Sequence, residues 1–584
     1  MSKLNVDQKT IGALFSDKKS DFLIPDYQRP YAWEERHCQT LWDDIFSFAF
    51  PDNNHELFNQ NDEYYLGSIV TFKNESNKLE VIDGQQRLTT LMLLLRAFHI
   101  KFENMQDSNT KRAREMISQC IWKTNEFGEA DLTVLKIDSE VASDNDKEEF
   151  LEILKSGKVN SDQKSNYAMN YRFFQEKIND FLSKFPSYFA YLPARILGNC
   201  ILLPIDAESQ DYALRIFSTL NNRGLPLSDA DIFKAQFYKF YGDKGENEKE
   251  DFISQWKELD EICVEIFRPI TGTPMDELFT RYMYYLRSKQ GNKSSTTEAL
   301  RKFYEKDNYK LLKQEDTFSD LRILAEFWQD VNLQNTDRFS EDTLRKLYIL
   351  NYAPNGMWHY FVSVYFMHYK NIEEKLDDKQ FGDFLSKAIA FIWTYAVINP
   401  GVNALRTPIY AEMLNIVNNL PIEYSEFKFD SESIRISFNN YSFNNGRPIT
   451  KSMLTWWAFT DLEQKLPTLD TKFDIEHIFS KKRQENEKAL KKEKNLESLG
   501  NKSLLEKKIN IRASDYRFAD KIKYYQGLNN GKRQKKNKTQ VIELFKLSIN
   551  NSDFTENDIE NRNLDIINSF IIYLKKNNLI KDNA

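Results

Sequence analysis

One stretch decides most about the fold of this chain: Phe473-Asp474-Ile475-Glu476-His477-Ile478, then Gly500-Asn501-Lys502-Ser503-Leu504-Leu505, and then Asn510. In the first segment apolar and polar residues alternate, as in a strand with one face in a core. The second segment begins with a turn signal and continues as a strand candidate. A helix over roughly Glu506 to Tyr525 would carry Asn510. The sequence therefore predicts strand, loop, strand and helix, in this order.

The polar side chains of this stretch suit the hydrolysis of a phosphodiester. That reaction needs a base to activate water and a cation to neutralise the charge that builds on the phosphate and on the leaving oxygen. A His, a carboxylate and an amide oxygen are sufficient for a site with a single metal ion. Alternation places Asp474 and Glu476 on one face of the strand, whereas His477 needs a local twist or the strand end to share their cleft.

A basic segment begins directly after the first strand candidate. Ser480–Thr539 has 19 Lys and Arg against 7 Asp and Glu, a local charge of +12, although the whole chain has a net charge of −7. A solvated lysine-rich surface is the common explanation of such a segment. Beside a candidate hydrolytic site it also favours salt-dependent contact with a nucleic-acid backbone. The candidate contacts are Lys481, Lys482, Arg483, Lys507, Lys508, Lys532, Arg533, Lys535 and Lys536.

Composition limits the class of protein. A chain of 584 residues is several times the usual domain size of about 100 to 200 residues, so several domains are expected. Few Gly and Pro, 18 and 15, favour a mainly helical protein. Four widely spaced cysteines argue against a disulfide framework and a cysteine zinc site, and fit a reducing cytoplasm. No signal peptide or membrane span is expected.

Changes in pattern divide the chain into three predicted domains. Residues 1–245 alternate strand-like and helix-like segments, residues 246–450 have helical periodicity almost throughout, and residues 451–584 contain the candidate site. The boundaries are the polar stretches around Gly242–Asp251 and Ser437–Arg447.

Three polar clusters mark the first domain: Ile24–Trp33, Val81–Leu88 and Leu220–Leu227. In the second, a strand, a Gly turn and a helix N-terminus place backbone N–H groups and the helix dipole where they favour an anion. Arg87 and Arg29 could clamp phosphate oxygens. The alternative is a structural ion pair of Arg87 with Asp83 and an ordinary turn in the third cluster. A P-loop is excluded because the chain has no GxxxxGK[ST] sequence.

Together these elements resemble a known family. Gln-Arg-Pro-Tyr-x-Trp at 28–33, Asp-Gly-Gln-Gln-Arg at 83–87 and Asn-x-Arg-Gly-x-Pro-Leu at 221–227 resemble the GmrS-type domain, a relative of the ParB and sulfiredoxin fold. Glu-His-Ile followed by Gly-Asn-x-x-Leu-Leu resembles the GmrD-type HNH domain. The chain is thus similar to single-chain GmrSD proteins, Type IV modification-dependent restriction enzymes with BrxU-like and SspE-like relatives.

The resemblance implies an α+β, mainly helical fold: an N-terminal ParB/sulfiredoxin-like α/β domain, a helical middle and a C-terminal ββα-metal (HNH) nuclease domain within helices. It implies His477 as general base, Glu476 and Asn510 as metal ligands, Asn501 as the residue that braces the His loop, and Asp474 as an additional or substitute ligand. Such hard oxygen ligands suit Mg²⁺ or Mn²⁺. Ser480 departs from the pattern, because the family commonly has Pro there.

For the first domain, the resemblance implies binding and hydrolysis of a nucleoside triphosphate, coupled to the cutting of modified phage DNA. The expected nucleotide-binding residues are Gln28, Arg29, Asp83, Gly84, Gln85, Gln86, Arg87, Asn222 and Arg223. Recognition of a modified base would need an aromatic pocket, with the base flipped out of the duplex as one means.

The leading hypothesis is therefore an NTP-regulated, Mg²⁺-dependent endonuclease that acts on modified double-stranded phage DNA. A single HNH centre hydrolyses one strand per event, so nicking, or paired cutting by a homodimer, is expected. Two alternatives stay open: a nucleotide-gated DNA-binding protein with a degenerate HNH domain, and a toxin-like nuclease that acts on host RNA or unmodified DNA.

Overall fold

The computed structural model describes residues 5–6, 8–141, 144, 146–209, 212–213, 228–401, 403–528 and 537–581. The chain divides into two compact units, Met1–Glu258 and Leu259–Ala584. The boundary lies inside the helix Glu246–Ile266. The division into the three domains 1–245, 246–450 and 451–584 stays a prediction.

A mixed sheet forms the centre of the first unit. Its described strands are β1 (Asn5–Val6), β2 (Lys9–Thr10), β3 (Phe22–Ile24), β4 (Tyr64–Lys73), β5 (Leu79–Asp83), β6 (Trp122–Thr124), β7 (Ala130–Leu135), β8 (Ile137–Ser139) and β9 (Cys200–Ala207). Seven of them pair in the order β1-β9-β4-β5-β3-β8, with β2 also beside β9, whereas β6 and β7 pair with each other. The centre of the sheet mixes directions, because β4 runs parallel to β9 and antiparallel to β5.

Helices cover this sheet. They are α1 (Ile11–Ser16), α2 (Glu35–Ala49), α3 (Gln85–Lys101), α4 (Ser108–Ile121), α5 (Lys147–Ser156), α6 (Asn166–Lys184), α7 (Tyr191–Asn199) and α8 (Asp229–Gly242), followed by α9 (Glu246–Ile266) across the boundary. Helix α3 is buried along almost its whole length, including Leu88, Leu91 and Leu95. The strand, Gly turn and helix N-terminus predicted within the cluster Val81–Leu88 are confirmed.

The second unit begins with a long helical segment, as predicted. Its helices are α10 (Pro274–Lys289), α11 (Leu300–Tyr309), α12 (Glu315–Asn332), α13 (Glu341–Leu350), α14 (Met357–Tyr369), α15 (Asp378–Ile398), α16 (Arg406–Val417), α17 (Ser431–Asn440) and α18 (Pro448–Phe459). Stacked aromatic rings fill the space between them, for example Phe327 on Phe366 with centroids 4.0 Å apart. The mainly helical α+β class is therefore confirmed.

Among the described residues, helix α15 is long and apolar enough to cross a membrane. About two thirds of its apolar window, 67%, is buried inside the protein. A single such helix is weak evidence for a membrane span, because the core helix of a soluble protein has the same length and composition.

The last part of the second unit contains the predicted hairpin. Its elements are β10 (Phe473–His477), α19 (Lys481–Glu487), β11 (Lys502–Glu506), α20 (Lys507–Ala513), α21 (Phe518–Tyr525), α22 (Ile542–Asn550) and α23 (Glu556–Lys576). The two strands are confirmed, but the single helix predicted over Glu506 to Tyr525 is wrong. It is two helices, because the chain turns at Ser514, whose φ of 45° is incompatible with a continuous helix.

Candidate active site

The candidate site is built on an antiparallel hairpin. Strands β10 and β11 pair with Asp474 opposite Leu505 and His477 opposite Lys502. Helix α20, which carries Asn510, follows β11 directly and packs on both strands. The order strand, strand, helix thus brings the predicted residues of three separate segments onto one small scaffold.

Asn501 holds the loop that follows His477. Its side-chain oxygen accepts from Phe479 N at 2.7 Å, and its side-chain nitrogen donates to Phe479 O at 3.1 Å and to Leu496 O at 3.0 Å. Its carbonyl oxygen accepts from Ile478 N at 2.9 Å. Because Asn501 is fully buried, it positions the loop and does not itself contact a substrate.

The carboxylate of Glu497 lies beside His477. Oε1 of Glu497 is 3.4 Å from Nε2 of His477 and 3.0 Å from Nζ of Lys481, and Oε2 accepts from Nζ of Lys502 at 2.5 Å. Lys502 is fully buried, so its ammonium group needs this carboxylate as a partner. Glu497 was not among the predicted site residues.

The electrostatics of this cluster keep His477 neutral. Burial lowers the pKa of His477 to about 3; Lys502 acts in the same direction and Glu497 opposes both. Burial alone would raise the pKa of Glu497, but the hydrogen bonds from Lys502 and Lys481 outweigh it and lower that pKa. The imidazole is therefore uncharged near neutral pH and can accept a proton, but at this pKa it is a weak base.

Glu497→Gln is expected to slow the phosphodiester hydrolysis predicted for this site by roughly tenfold or more, as loss of the group that orients a catalytic His does in hydrolases. Without this carboxylate, Lys502 and Lys481 act unopposed on His477, so its pKa falls further and the ring becomes a weaker base. Single-turnover cleavage and DNA affinity should be measured for this variant and for Glu485→Gln, an exposed control. Loss of DNA affinity with an unchanged cleavage rate would contradict the positioning role.

Glu476 is buried more deeply than a half-exposed strand face allows. Only 4% of it is exposed, and its Oε1 accepts from Nζ of Lys521 at 2.6 Å and from the hydroxyl of Tyr525 at 2.6 Å. Lys521 Nζ also donates to the carbonyl of His477 at 2.7 Å. Burial raises the pKa of Glu476, with Lys521 opposing it. Both donors contact Oε1, so Oε2 accepts neither of these hydrogen bonds.

Asp474 and Asn510 are brought together. The side-chain nitrogen of Asn510 lies 3.5 Å from Oδ2 of Asp474. Within the described ranges no three His, Cys, Asp or Glu side chains form a group that could hold a metal ion. Two carboxylates two residues apart on one strand and an adjacent amide are nevertheless the hard oxygen donors that Mg²⁺ accepts, together with water and phosphate oxygens. Asp474 and Asn510 therefore offer donors of the kind that this metal accepts, whereas one oxygen of Glu476 is held by Lys521 and Tyr525.

Ser480 has a structural role that compensates for the missing Pro. It is the N-cap of α19, and its hydroxyl accepts from Arg483 N at 3.1 Å. A capping Ser and a Pro both favour the start of a helix. The departure from the family pattern therefore leaves the loop after His477 ordered.

Arg562, on α23, fixes the other side of the hairpin and was also missed. Its Nη1 donates to the carbonyls of Leu499, Gly500 and Lys502 at 2.7–3.0 Å, and Glu543 accepts from its Nε and Nη2. A Cβ at Gly500 would lie 2.0 Å from a backbone oxygen of α23, so only Gly permits this approach. Nothing in the local sequence marks Arg562 as a partner of a loop some sixty residues earlier.

Eight of the nine predicted DNA contacts fall into three groups. Lys507 and Lys508 line an open groove beside α20, together with Lys472, Arg512 and Lys538. Lys482 is exposed and Lys481 is half-exposed beside Glu497. Four predicted contacts lie outside the described residues: Lys532, Arg533, Lys535 and Lys536.

Arg483 differs from its predicted role as a DNA contact. Its guanidinium donates to both carboxylate oxygens of Asp553 and to Glu487, and only 15% of its side chain is exposed. These bonds tie α19 to the loop before α23 and leave the guanidinium committed within the protein. Arg483 is a structural residue here.

In the first unit, the structure brings two of the three predicted clusters together at the turn between β5 and α3. Gly84 has a φ of 91°, which favours Gly, and is the N-cap of α3. Arg87 Nη1 donates to the carbonyl of Ser68 at 2.8 Å. Burial raises the pKa of Asp83, and the charges of Arg87 and Arg29 oppose it. Two cations and one carboxylate therefore meet at the N-terminus of a long helix.

The glutamines of these clusters act on backbone groups. Gln28 Nε2 donates to the carbonyls of Val81 and Ile82, Gln85 Nε2 to that of Arg29, and Gln86 Nε2 to that of Pro30. Gln86 Oε1 also accepts from Ala32 N at 2.7 Å. All three side chains are buried, and their amide nitrogens position the two segments. These nitrogens are therefore not available to a nucleotide, contrary to the prediction. Asn222 and Arg223 lie outside the described residues.

Both ends of the chain match the models of known domain families. Residues 11–238 match the model of the GmrSD restriction endonuclease N-terminal domain, and residues 428–569 match that of the GmrSD restriction endonuclease C-terminal domain. A search of curated proteins found no match. The first match contains the turn at Gly84 and the second contains the hairpin with His477, and together they cover more than half of the chain. The chain therefore belongs to the GmrSD family of restriction endonucleases.

Proposed function

We propose that this protein is a divalent-metal-dependent HNH endonuclease that cuts modified phage DNA in the cytoplasm under the control of a nucleoside triphosphate. The observation that carries the nuclease proposal is the hairpin on which His477, Asp474 and Asn510 are brought together, with Glu497 beside the His. Membership of a restriction endonuclease family makes DNA the substrate and phosphodiester hydrolysis the reaction.

His477 acts as the general base in this proposal. Its Nε2 is buried toward Glu497, so Nδ1 is the ring nitrogen left to take the proton from an attacking water. The neutral ring accepts this proton, and the adjacent carboxylate of Glu497 stabilises the imidazolium that forms. Asn501 keeps the loop in place throughout, because its side chain bonds only to backbone groups of the loop.

Asp474, Asn510 and Oε2 of Glu476 would hold Mg²⁺ or Mn²⁺. A bound divalent cation supplies neutralisation of the charge that develops on the phosphate and the leaving oxygen. Lys521 donates to Oε1 of Glu476, so this carboxylate would bind the metal through Oε2 alone.

The groove lined by Lys507 and Lys508 is proposed as the path of the DNA backbone. Lys507→Ala/Lys508→Ala is expected to reduce the slope of log affinity against log salt by about 1.8, because each lost phosphate contact removes about 0.9. Binding to duplex DNA should be titrated over a range of salt. Lys302→Ala/Lys310→Ala, two exposed lysines of the helical segment, is the matched control and should leave the slope unchanged. Equal slopes in both double variants would remove the groove from the DNA path.

The turn at Asp83–Arg87 is proposed as the triphosphate site, because Arg29 and Arg87 flank the N-terminus of α3. Arg87→Ala is expected to lower the rate of nucleotide hydrolysis by at least about tenfold, since a charge-assisted contact to phosphate is lost. Arg112→Ala, an exposed arginine of the same unit, is the control. Phosphate release and the unfolding temperature should be followed together. Hydrolysis at the wild-type rate by a folded Arg87→Ala variant would overturn this assignment.

The experiment that tests the function as a whole is a cleavage panel. Unmodified, methylated, glucosylated and phosphorothioate DNA are incubated with the protein and Mg²⁺, each with and without nucleoside triphosphates. We expect cutting of at least one modified DNA and a response of that cutting to nucleotide. Tight binding without cleavage of any DNA would contradict the proposal and favour a DNA-binding protein.

A further inference from the structure

A basic pocket lies in the second unit, where the last described residues of the chain meet helices α15 and α17. It encloses about 460 Å³, which is within the roughly 300–1,000 Å³ of small-molecule sites. Its charged lining residues are four lysines and one carboxylate: Lys387, Lys428, Lys575, Lys581 and Glu423. The described lining therefore has a local charge of +3, although the whole chain has a net charge of −7.

Backbone pairing brings these lysines together from distant parts of the chain. Phe429 N donates to Leu579 O at 2.9 Å, and Lys581 N donates to Phe429 O at 2.8 Å, so a short parallel bridge joins the two segments. Lys428 and Lys581 each lie next to a bridged residue, and Lys575 lies in the last turn of α23. These cations therefore stand on a hydrogen-bonded scaffold.

Lys387, on α15, is the most firmly held cation of the pocket. Its Nζ donates to the carbonyl of Ile422 at 2.8 Å, and its side chain is half-buried. An ammonium group has three N–H donors, so this bond leaves two for a ligand. The pocket thus contains a positioned donor as well as exposed charges.

The carboxylates near the pocket are committed elsewhere. Asp430 caps α17, where its Oδ2 accepts from Ser433 N at 2.7 Å. Glu432 pairs with Arg435 at 3.5 Å. Buried Glu412 accepts from backbone N–H groups of the segment that leads into the pocket. None of these three acids forms an ion pair with a lysine of the pocket within the described part of the chain.

Three of the four lysines lack an ion pair among the residues that the structure describes: Lys428, Lys575 and Lys581. Elsewhere in the second unit lysines do pair, as Lys346 does with Asp342. Like charges that share one cavity repel each other, and a bound anion removes this cost. The arrangement therefore favours an anion in the pocket.

The walls and the rim of the pocket define the class of this anion. Ile580 is the apolar residue of the described lining, which offers no aromatic face for a base to stack on. Lysine ammonium groups bind phosphate oxygens as point charges. The rim is acidic, with exposed carboxylates at Glu423, Glu426 and Asp430. Such a rim repels a duplex, which would extend across it, but leaves room for a compact anion.

We infer that this pocket binds a compact polyphosphate, either inorganic or as the phosphate end of a nucleotide, through its four lysines. Affinity then depends on the number of linked phosphates and not on the base, which stays outside the pocket. The inference goes beyond the proposed function, because it needs neither DNA nor the turn at Asp83–Arg87 in the other unit.

Lysine labelling locates the anion directly. The full-length protein is treated briefly with acetic anhydride, with and without inorganic tripolyphosphate and without divalent cations, and the acetylation of each lysine is measured by mass spectrometry. At tripolyphosphate about ten times above its dissociation constant, Lys428, Lys575 and Lys581 should be labelled about tenfold more slowly, since about a tenth of the sites stay free. Lys302 and Lys310, exposed lysines of the helical segment, should be labelled at unchanged rates.

The choice of anion tests the class of ligand. Pyrophosphate and then inorganic phosphate should protect the pocket lysines progressively less, whereas ATP and GTP should protect them about as well as tripolyphosphate. Equal protection by inorganic phosphate, or protection by one nucleotide but not by tripolyphosphate, would overturn the inference. Protection confined to Lys507 and Lys508, or protection of the pocket by duplex DNA, would overturn it as well.

A double variant tests the pocket by a second means. Lys428→Gln/Lys575→Gln removes two cations that have no described ion pair, and should weaken tripolyphosphate binding about tenfold or more, as read from the protection of Lys581. Lys302→Gln/Lys310→Gln removes the same charge elsewhere and should leave this binding unchanged. Equal affinities in the two double variants would overturn the inference.

Discussion

His477→Ala is expected to cut DNA about 10²- to 10⁴-fold more slowly than the wild-type protein, the usual contribution of a general base. The physical reason is that the neutral imidazole beside Glu497 is the proton acceptor of the proposed site, and alanine leaves none in its place. DNA affinity should change little, because His477 is buried and the cations of the groove are untouched. Single-turnover cleavage at saturating protein measures the effect.

His368→Ala is the matched control for this experiment. His368 lies on α14, where its Nε2 pairs with Asn419, outside the hairpin. It should cut at the wild-type rate. Equal rates for wild type and a folded His477→Ala variant would show that the hairpin is not the catalytic centre, whatever the DNA used.

Lys521→Met is expected to destabilise the protein by about 3–5 kcal/mol, the range for breaking a buried ion pair from one side. Lys521 is 1% exposed and is the cation that pairs with Glu476, which is 4% exposed. Methionine fills much of the space of Lys521 but donates no hydrogen bond. Of the two side chains that donate to the Glu476 carboxylate, only Tyr525 then remains. Urea unfolding gives the change in the free energy of unfolding.

The pH dependence of this loss identifies its cause. Without Lys521, the pKa of Glu476 in the folded state rises further above its value in the unfolded chain. The folded state then binds more protons than the unfolded chain, so its stability decreases as pH rises through the folded-state pKa. The deficit should therefore be smaller near about pH 5 than near about pH 8. Lys482→Met, at an exposed position, is the control, and a pH-independent deficit would point to lost packing instead.

The hairpin could be predicted from sequence because its signals are local. Alternation over Phe473–Ile478 and the turn at Gly500-Asn501 need no knowledge of the rest of the chain, and both strands are where the pattern placed them. The break at Ser514 has no such signal, since neither Gly nor Pro is present at the turn. The local pattern therefore predicted a continuous helix where the structure has two.

The partners of the site could not be predicted because tertiary packing supplies them. Lys521 and Arg562 come from helices 45 and about 60 residues along the chain from the groups they hold. Glu497 is one of many acidic residues in a charged segment, and its closeness to His477 depends on the path of the loop before Gly500. Charge pattern alone also assigned Arg483 to DNA, although Asp553 binds it.

In the first unit, the polar sequence clusters predicted the turn between β5 and α3, but not the contacts of its glutamine side chains. The sequence placed an anion-favouring turn between β5 and α3, and the structure brings Arg29 and Arg87 to it. The Gln side chains, predicted as ligand contacts, instead bond to the backbone of the facing segment. Polar side chains of a sequence motif can therefore hold the backbone of a site in place without contacting a ligand.

Metal dependence of cleavage tests the central claim most directly. The wild-type protein should be incubated with a DNA that it cuts, in Mg²⁺ and, in parallel, in EDTA, and the products followed with time. The account predicts cleavage with Mg²⁺, none in EDTA, and recovery when excess Mg²⁺ is restored, because it assigns the metal to the oxygen donors of Asp474, Glu476 and Asn510. Cleavage at an unchanged rate in EDTA would contradict it.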